Sequence, residues 1–74
     1  MSHNFPASSI FRVYHRASSG FVPISSIRYE AEQRAEDFAR RQGKKMIILG
    51  ERISPPPYVL GNFPRIEIVF AVVD

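Results

Sequence analysis

Two stretches near the ends of the chain alternate between apolar and polar positions in the way that strands do. In residues 9–16, Phe11 and Val13 alternate with more polar neighbours, and residues 64–73 show the same period of two. β-Branched and aromatic residues are abundant in both stretches, which favours strands. The second stretch carries an apolar face that we expect to lie in the core, formed by Ile66, Ile68, Phe70 and Val72.

Residues 25–43 have the apolar spacing of an amphipathic helix. One stripe of this helix is apolar and consists of Ile27, Ala31, Ala35, Phe38 and Ala39. Ser25 or Ser26 is placed to cap the first amides, and Gly43 is placed to end the helix in a left-handed conformation. The charges of residues 27–42 are four arginines and four acids. We therefore predict a helix with one buried stripe and a neutral, solvated outer face.

The segment after the helix predicts a further strand and then a stiff loop. Residues 46–49 are a continuous apolar run, which is typical of a strand buried on both faces. Residues 55–57 are three prolines without amide donors, and Gly61 with Asn62 has turn chemistry. We therefore predict a semi-rigid loop over residues 52–63.

The order of these elements predicts an α+β fold, a β-α-β-β domain with one helix packed on one face of a three-stranded mixed sheet. A helical crossover favours parallel first and second strands, and the proline-rich loop would return the third strand antiparallel to the second. The 74 residues allow a single domain, which we place at residues 9–74 after a flexible amino-terminal arm at residues 1–8. One helix leaves the second face of the sheet uncovered.

The composition excludes several kinds of chemistry. The chain has no cysteine, which removes disulfides, thiolate zinc sites, iron–sulfur clusters and cysteine nucleophiles. His3 and His15 stand alone, and no second metal ligand lies at a suitable spacing. Ser18 and Ser19 are interpreted as turn residues because no partnered base and acid accompany them. We therefore expect no enzyme activity, no catalytic residue, no cofactor and no metal site.

The formal net charge is +3, and because the helix is neutral this charge lies in the other segments. The predicted topology brings four arginines to one end of the molecule near the helix amino terminus, namely Arg16, Arg28, Arg52 and Arg65. Helix amino termini and arginines both favour anions. We predict that a phosphate or carboxylate group binds at this Arg-rich pole, with an ordinary solvated surface as the alternative interpretation.

The same basic residues support a version of this hypothesis in which the ligand is nucleic acid. Four aromatic residues are candidates for stacking on bases, namely Phe11, Tyr14, Tyr29 and Tyr58. No sequence signature of a nucleic-acid-binding family accompanies them. Aromatic residues in alternating strands are more often part of the core, which is the competing interpretation.

The uncovered sheet face predicts association with a protein partner. Its residues Val69, Ala71 and Val73 are apolar and alternate with the residues of the same stretch that we expect to face the helix. Large exposed apolar patches often mark association surfaces. We expect a homodimer, or a complex with another protein, through this face or an edge strand; alternatively, the arm with Phe5 folds back and covers it. The preferred function is a non-enzymatic interaction or structural module that self-associates, and the alternative is a binder of phosphate-bearing ligands or nucleic acid.

A resemblance to known proteins rests on Gly43, the two lysines that follow it, the apolar strand, the proline-rich loop and residues 63–70. These features resemble a group of short bacterial domains of uncharacterised function, some of which follow lipoprotein-type signals. The resemblance covers roughly the last two thirds of the chain and implies a small bacterial β-α-β-β domain. This chain shows no signal segment, no cysteine and no apolar run of membrane-spanning length. We therefore expect a cytoplasmic protein without a membrane partner, unless a signal has been removed.

Overall fold

The computed structural model describes residues 5–60 and 62–74. Its regular elements are β1 (Ile10–Arg16), α1 (Ile24–Arg40), β2 (Lys45–Ile53) and β3 (Arg65–Val73). The strands form one sheet, so the α+β class and the β-α-β-β order are confirmed. Within the predicted arm, residues 7–9 form one turn of 3₁₀ helix that leads directly into β1, and residues 1–4 lie outside the described residues.

β3 is the central strand, and it pairs antiparallel with both β1 and β2. β1 and β2 therefore run parallel to each other, as a helical crossover requires, but they are not neighbours. The sheet is consequently antiparallel throughout, and the predicted mixed sheet is wrong in this respect. β3 contains the longest apolar alternation of the chain. Because it is the central strand, many of its residues are buried on both faces of the sheet.

β2 lies at an edge of the sheet, which corrects the prediction that it is buried on both faces. Ile47 and Ile48 each keep 40% of their surface exposed. A short apolar run does not by itself distinguish a central strand from an edge strand. The ladder to β3 also shifts register between Ile48 and Gly50, which marks a β-bulge.

The core lies between α1 and the face of the sheet that the alternation of β3 predicted. Ile66, Ile68, Phe70 and Val72 are buried there, which confirms the predicted core face. The helix contributes Ile27, Ala31, Ala35 and Ala39, each at most 1% exposed. Phe38, also predicted on this stripe, lies at the margin of the core with its ring 4.6 Å from that of Phe11.

The predicted cap at the amino-terminal end of α1 is wrong, and the predicted left-handed glycine at the carboxyl-terminal end is confirmed. The N-cap is Pro23 and no side chain caps the first turn, so neither Ser25 nor Ser26 has the predicted capping role. The helix begins at Ile24, one residue earlier than expected. At the other end Gly43 has φ of +69°, the left-handed conformation predicted for it.

The proline-rich segment lies beside the turn that precedes α1. The Tyr58 hydroxyl donates a hydrogen bond to the Ser54 carbonyl (2.8 Å). The side-chain amide of Asn62 donates a hydrogen bond to the Pro57 carbonyl (2.6 Å). A Cβ atom on Gly20 would lie only 2.5 Å from the Tyr58 carbonyl oxygen, so the two loops are in close contact.

Among the described residues, no helix combines the length and apolar character that crossing a bilayer demands.

Candidate anion-binding face of the sheet

α1 packs on one face of the sheet, and we call the opposite face the open face. Residues directly opposite each other in a ladder point to the same side, so the two registers define its members. They are Ile10, Arg12, Tyr14 and Arg16 of β1, Lys45, Ile47, Gly50 and Arg52 of β2, and Arg65, Glu67, Val69, Ala71 and Val73 of β3.

The open face holds the positive charge of the molecule. Five of its members are cations and one, Glu67, is a carboxylate. The helix, by contrast, balances its charges, and Arg40 pairs there with Glu36 at 2.7 Å and with Asp37 at 3.0 Å. The net charge of +3 is therefore concentrated on one surface instead of being spread around the domain.

One end of the open face is an open depression of about 650 Å³. Five open-face side chains line it, namely Tyr14, Arg16, Arg52, Arg65 and Glu67. The rim continues into the proline-rich loop, because the Arg65 amide donates to the Ser54 hydroxyl (2.9 Å) and the Ser54 amide donates to the Arg65 carbonyl (3.0 Å). The structure thus brings three of the four arginines of the predicted pole, Arg16, Arg52 and Arg65, into one depression.

The fourth arginine lies on the opposite side of the sheet. Arg28 of α1 donates from Nε (3.0 Å) and Nη2 (2.8 Å) to Oε1 of Glu51. The bulge after Ile48 places Glu51 opposite the buried Ile68, which turns it toward the helix. Arg28 therefore has a carboxylate partner of its own and is not part of the depression.

The helix amino terminus is also separate from this depression. A second depression runs along it and is lined by Arg16, Ser25 and Ser26 among others, whereas Arg52 and Arg65 do not reach it. Arg52 and Arg65 thus lie away from the first turn of α1, whereas Arg16 lines both depressions. The sequence did not reveal this because the side to which each strand residue points depends on the register.

Arg16 and Arg65 occupy directly opposite positions at the end of the β1–β3 ladder. Within the described part of the chain, neither guanidinium forms an ion pair, and the Arg16 guanidinium lies 5.3 Å from the centre of the Phe63 ring. Like charges at directly opposite positions destabilise a sheet. An anion bound between these two side chains would relieve that repulsion.

Tyr14 lies on the open face in the edge strand β1, and 66% of its surface is exposed. A hydrogen bond with Glu67 raises the pKa of the Tyr14 hydroxyl, so this group stays protonated at neutral pH. The same carboxylate lies 3.4 Å from Nε of Arg12. The ion pair of Glu67 is thus with Arg12 and not with Arg16 or Arg65.

The other three aromatic residues predicted to stack on bases lie elsewhere. Phe11 packs on the helix side against Phe70, Tyr29 is on α1, and the Tyr58 hydroxyl is bonded to Ser54. Only Tyr14 of the four candidates belongs to the open face.

The residues predicted to form an association surface are more buried than expected. Ala71 is completely buried, because in the register it lies between Ile10 and Ile47, and it offers no surface to a partner. Val69 and Val73 are half-buried. The apolar surface at this end comes instead from Ile10 (37% exposed) and Ile47 (40% exposed), two residues that the sequence offered as candidates for this face without fixing the side to which they point.

The groups considered for catalysis and metal binding have ordinary structural contacts. His15 forms a 2.6 Å contact with Glu30 through Nε2, and the Ser19 hydroxyl accepts from the Phe21 amide (3.2 Å). In residues 5–60 and 62–74 there is no cluster of three or more side chains able to hold a metal ion. His3 falls outside the described residues.

No family model, no curated protein and no solved structure matches the chain.

Proposed function

We propose that this domain is a non-enzymatic binding module whose open face binds phosphate-bearing polyanions. The observation that carries the proposal is the pair Arg16 and Arg65, opposite each other in the ladder and without an acidic partner among the described residues. Arg52 lines the same depression, so three guanidinium groups face one concave surface. Guanidinium groups match phosphate oxygens in charge and in hydrogen-bond geometry.

The location of the charge favours a polyanion over a single small anion. Beyond the depression, the open face continues with Arg12 and Lys45, so cations extend along its whole length. A polymer of phosphates that contacts several of them releases several counterions, and this release supplies most of the non-specific binding energy. A single phosphate would use only the cations at one end.

The side chains of the depression support binding and not catalysis. Among the described residues that line it, the charged groups are three arginines, one histidine and Glu67, and the carboxylate of Glu67 is already engaged by Tyr14 and Arg12. His15 is engaged by Glu30 on the helix side. These groups can hold an anion but do not form a nucleophile with a partnered base.

The proposal is tested by titrating isotope-labelled protein with inorganic polyphosphate at low salt and following the backbone amide signals. Polyphosphate is the probe because it carries the phosphate groups of the expected ligand and nothing else. We expect chemical-shift changes at Tyr14, Arg16, Arg52, Arg65 and Glu67, which reverse when salt is added because the binding is electrostatic.

Signals from the outer face of α1, around Arg40, serve as the internal reference in this titration. They should stay in place, because Arg40 is already paired with Glu36 and Asp37. Changes of equal size on α1, or no changes at all, would show that the open face has no selective affinity for phosphate.

A second candidate function is self-association through the apolar end of the open face. It is favoured by Ile10 and Ile47, which flank Ala71 and leave more than a third of their surfaces exposed. An isologous dimer over the whole face would bring its five cations against a second set, so only the apolar end suits such a contact.

Sedimentation velocity over a wide range of protein concentrations tests the second candidate. We expect a dimer that forms at high concentration, and we expect the Ile47→Lys variant to stay monomeric because it adds a charge to the contact. A wild-type protein that sediments as a monomer at every concentration would remove self-association from the account, and polyphosphate binding would be unaffected.

A further inference from the structure

We infer that the polyanion bound by the open face is a single-stranded nucleic acid, one base of which stacks on the ring of Tyr14 while its phosphates contact Arg16 and Arg65. The inference deepens the proposed function and rests on it, because both use the same face. A nucleic acid carries bases as well as phosphates, so Tyr14 can recognise a group that polyphosphate lacks.

The position of Tyr14 carries the inference. It lies in the middle of β1 between Arg12 and Arg16, each two residues away on the same face and therefore about 7 Å away along the strand. Across β3 it is level with Arg52, because both pair with Glu67. An exposed aromatic ring thus has cations before and after it on its own strand and one on the far edge strand, with the carboxylate of Glu67 between the two edge strands.

The ring of Tyr14 is accessible to a ligand. Tyr14 lies directly opposite Glu67 in the ladder, and 66% of its surface is exposed. Every base has an aromatic face, so one such ring with nearby cations binds single strands with little regard to sequence.

The same geometry favours single strands over duplexes. In a duplex the flat faces of the bases are stacked on each other, and only phosphates and base edges remain accessible. A duplex could therefore use the arginines of the open face but not Tyr14. Single strands supply phosphates and free base faces together.

The experiment measures the affinity of fluorescently labelled oligothymidylate of about ten nucleotides, a length within the usual range of such sites, by anisotropy. Tyr14→Ala should lower this affinity about 5- to 100-fold, and Tyr14→Phe, which keeps the ring, should stay within about threefold of wild type. Tyr29→Ala is the matched control, because Tyr29 is equally exposed (63%) but lies on α1. It should bind as the wild type does.

Polyphosphate separates stacking from charge. Because this polymer has no bases, Tyr14→Ala should bind it as tightly as the wild type does, and a duplex of the same length should bind more weakly than the single strand.

Two results would overturn the inference while leaving the proposed function intact: equal affinity for single strand and duplex, or equal losses of oligothymidylate and polyphosphate binding in Tyr14→Ala. Failure of the wild type to bind polyphosphate would instead remove the proposed function itself.

Discussion

Replacing Arg16 and Arg65 together by glutamine is expected to weaken polyphosphate binding by about 10- to 100-fold at low salt. The two side chains lie opposite each other at the depression and have no acidic partner among the described residues. Contacts between an exposed guanidinium and a phosphate are charge-assisted but screened by solvent, and the loss of two of them should also flatten the plot of log affinity against log salt concentration by about 1 to 2. Isothermal titration at several salt concentrations measures both quantities.

The same double variant should be as stable as the wild type, or slightly more stable. Removing two like charges from opposite positions in the ladder removes a repulsion, so the stability should not fall together with the affinity. This separates a functional effect from simple unfolding.

Arg40→Gln with Arg41→Gln is the charge-matched control, because it removes two arginines from the end of α1. If the control loses as much polyphosphate affinity as the Arg16 and Arg65 variant, total charge and not the open face determines binding.

Replacing Ile68 by alanine is expected to have the largest effect on stability. Ile68 is completely buried in the middle of β3 and packs in the cluster that joins the sheet to α1. Such truncations lower the free energy of unfolding by about 2 to 5 kcal/mol. For a domain of this size, that loss corresponds to a decrease of the melting temperature by about 10 to 30 °C.

Ile47→Ala provides the comparison for the opposite face. Ile47 is 40% exposed on the open face, so its truncation should lower the free energy of unfolding by less than about 1 kcal/mol. Thermal unfolding followed by circular dichroism, at a protein concentration low enough to prevent association, measures both variants. Equal losses would mean that the face opposite α1 is buried and would contradict the described fold.

The elements themselves were predictable from the sequence because their periodicities are strong. The alternation that places Ile66, Ile68, Phe70 and Val72 on one face is uninterrupted, and it identified the core side of β3 correctly. The stripe of alanines on α1 was equally clear, since its members recur at helical spacing. Gly43 ended the helix as expected because glycine adopts positive φ without strain.

The order of the strands was not predictable, and two errors follow from this. The loop between β2 and β3 allows β3 to lie beside β2 at the sheet edge or between β2 and β1, and no local pattern decides between these arrangements. Because β3 is central, β2 becomes an edge with Ile47 and Ile48 exposed, and Ala71 is enclosed from both sides.

The bulge in β2 explains why the arginine cluster was predicted only in part. Met46 and Ile48 lie opposite Val72 and Phe70, on the helix side. Simple alternation would place Arg52 on that side too, but the register shift after Ile48 moves it opposite Glu67, on the open face. The register shift between Ile48 and Gly50 therefore determines the side of the sheet on which Arg52 lies, and no pattern in the sequence predicts this shift.

The most direct test of the central claim is the affinity of the wild-type protein for inorganic polyphosphate at about 50 mM and about 200 mM potassium chloride. If several cations of the open face contact phosphates, binding is detectable at the lower concentration and weakens by at least about tenfold at the higher one. No binding at low salt, or the same affinity at both concentrations, would contradict the assignment of the open face as a site for phosphate-bearing polyanions.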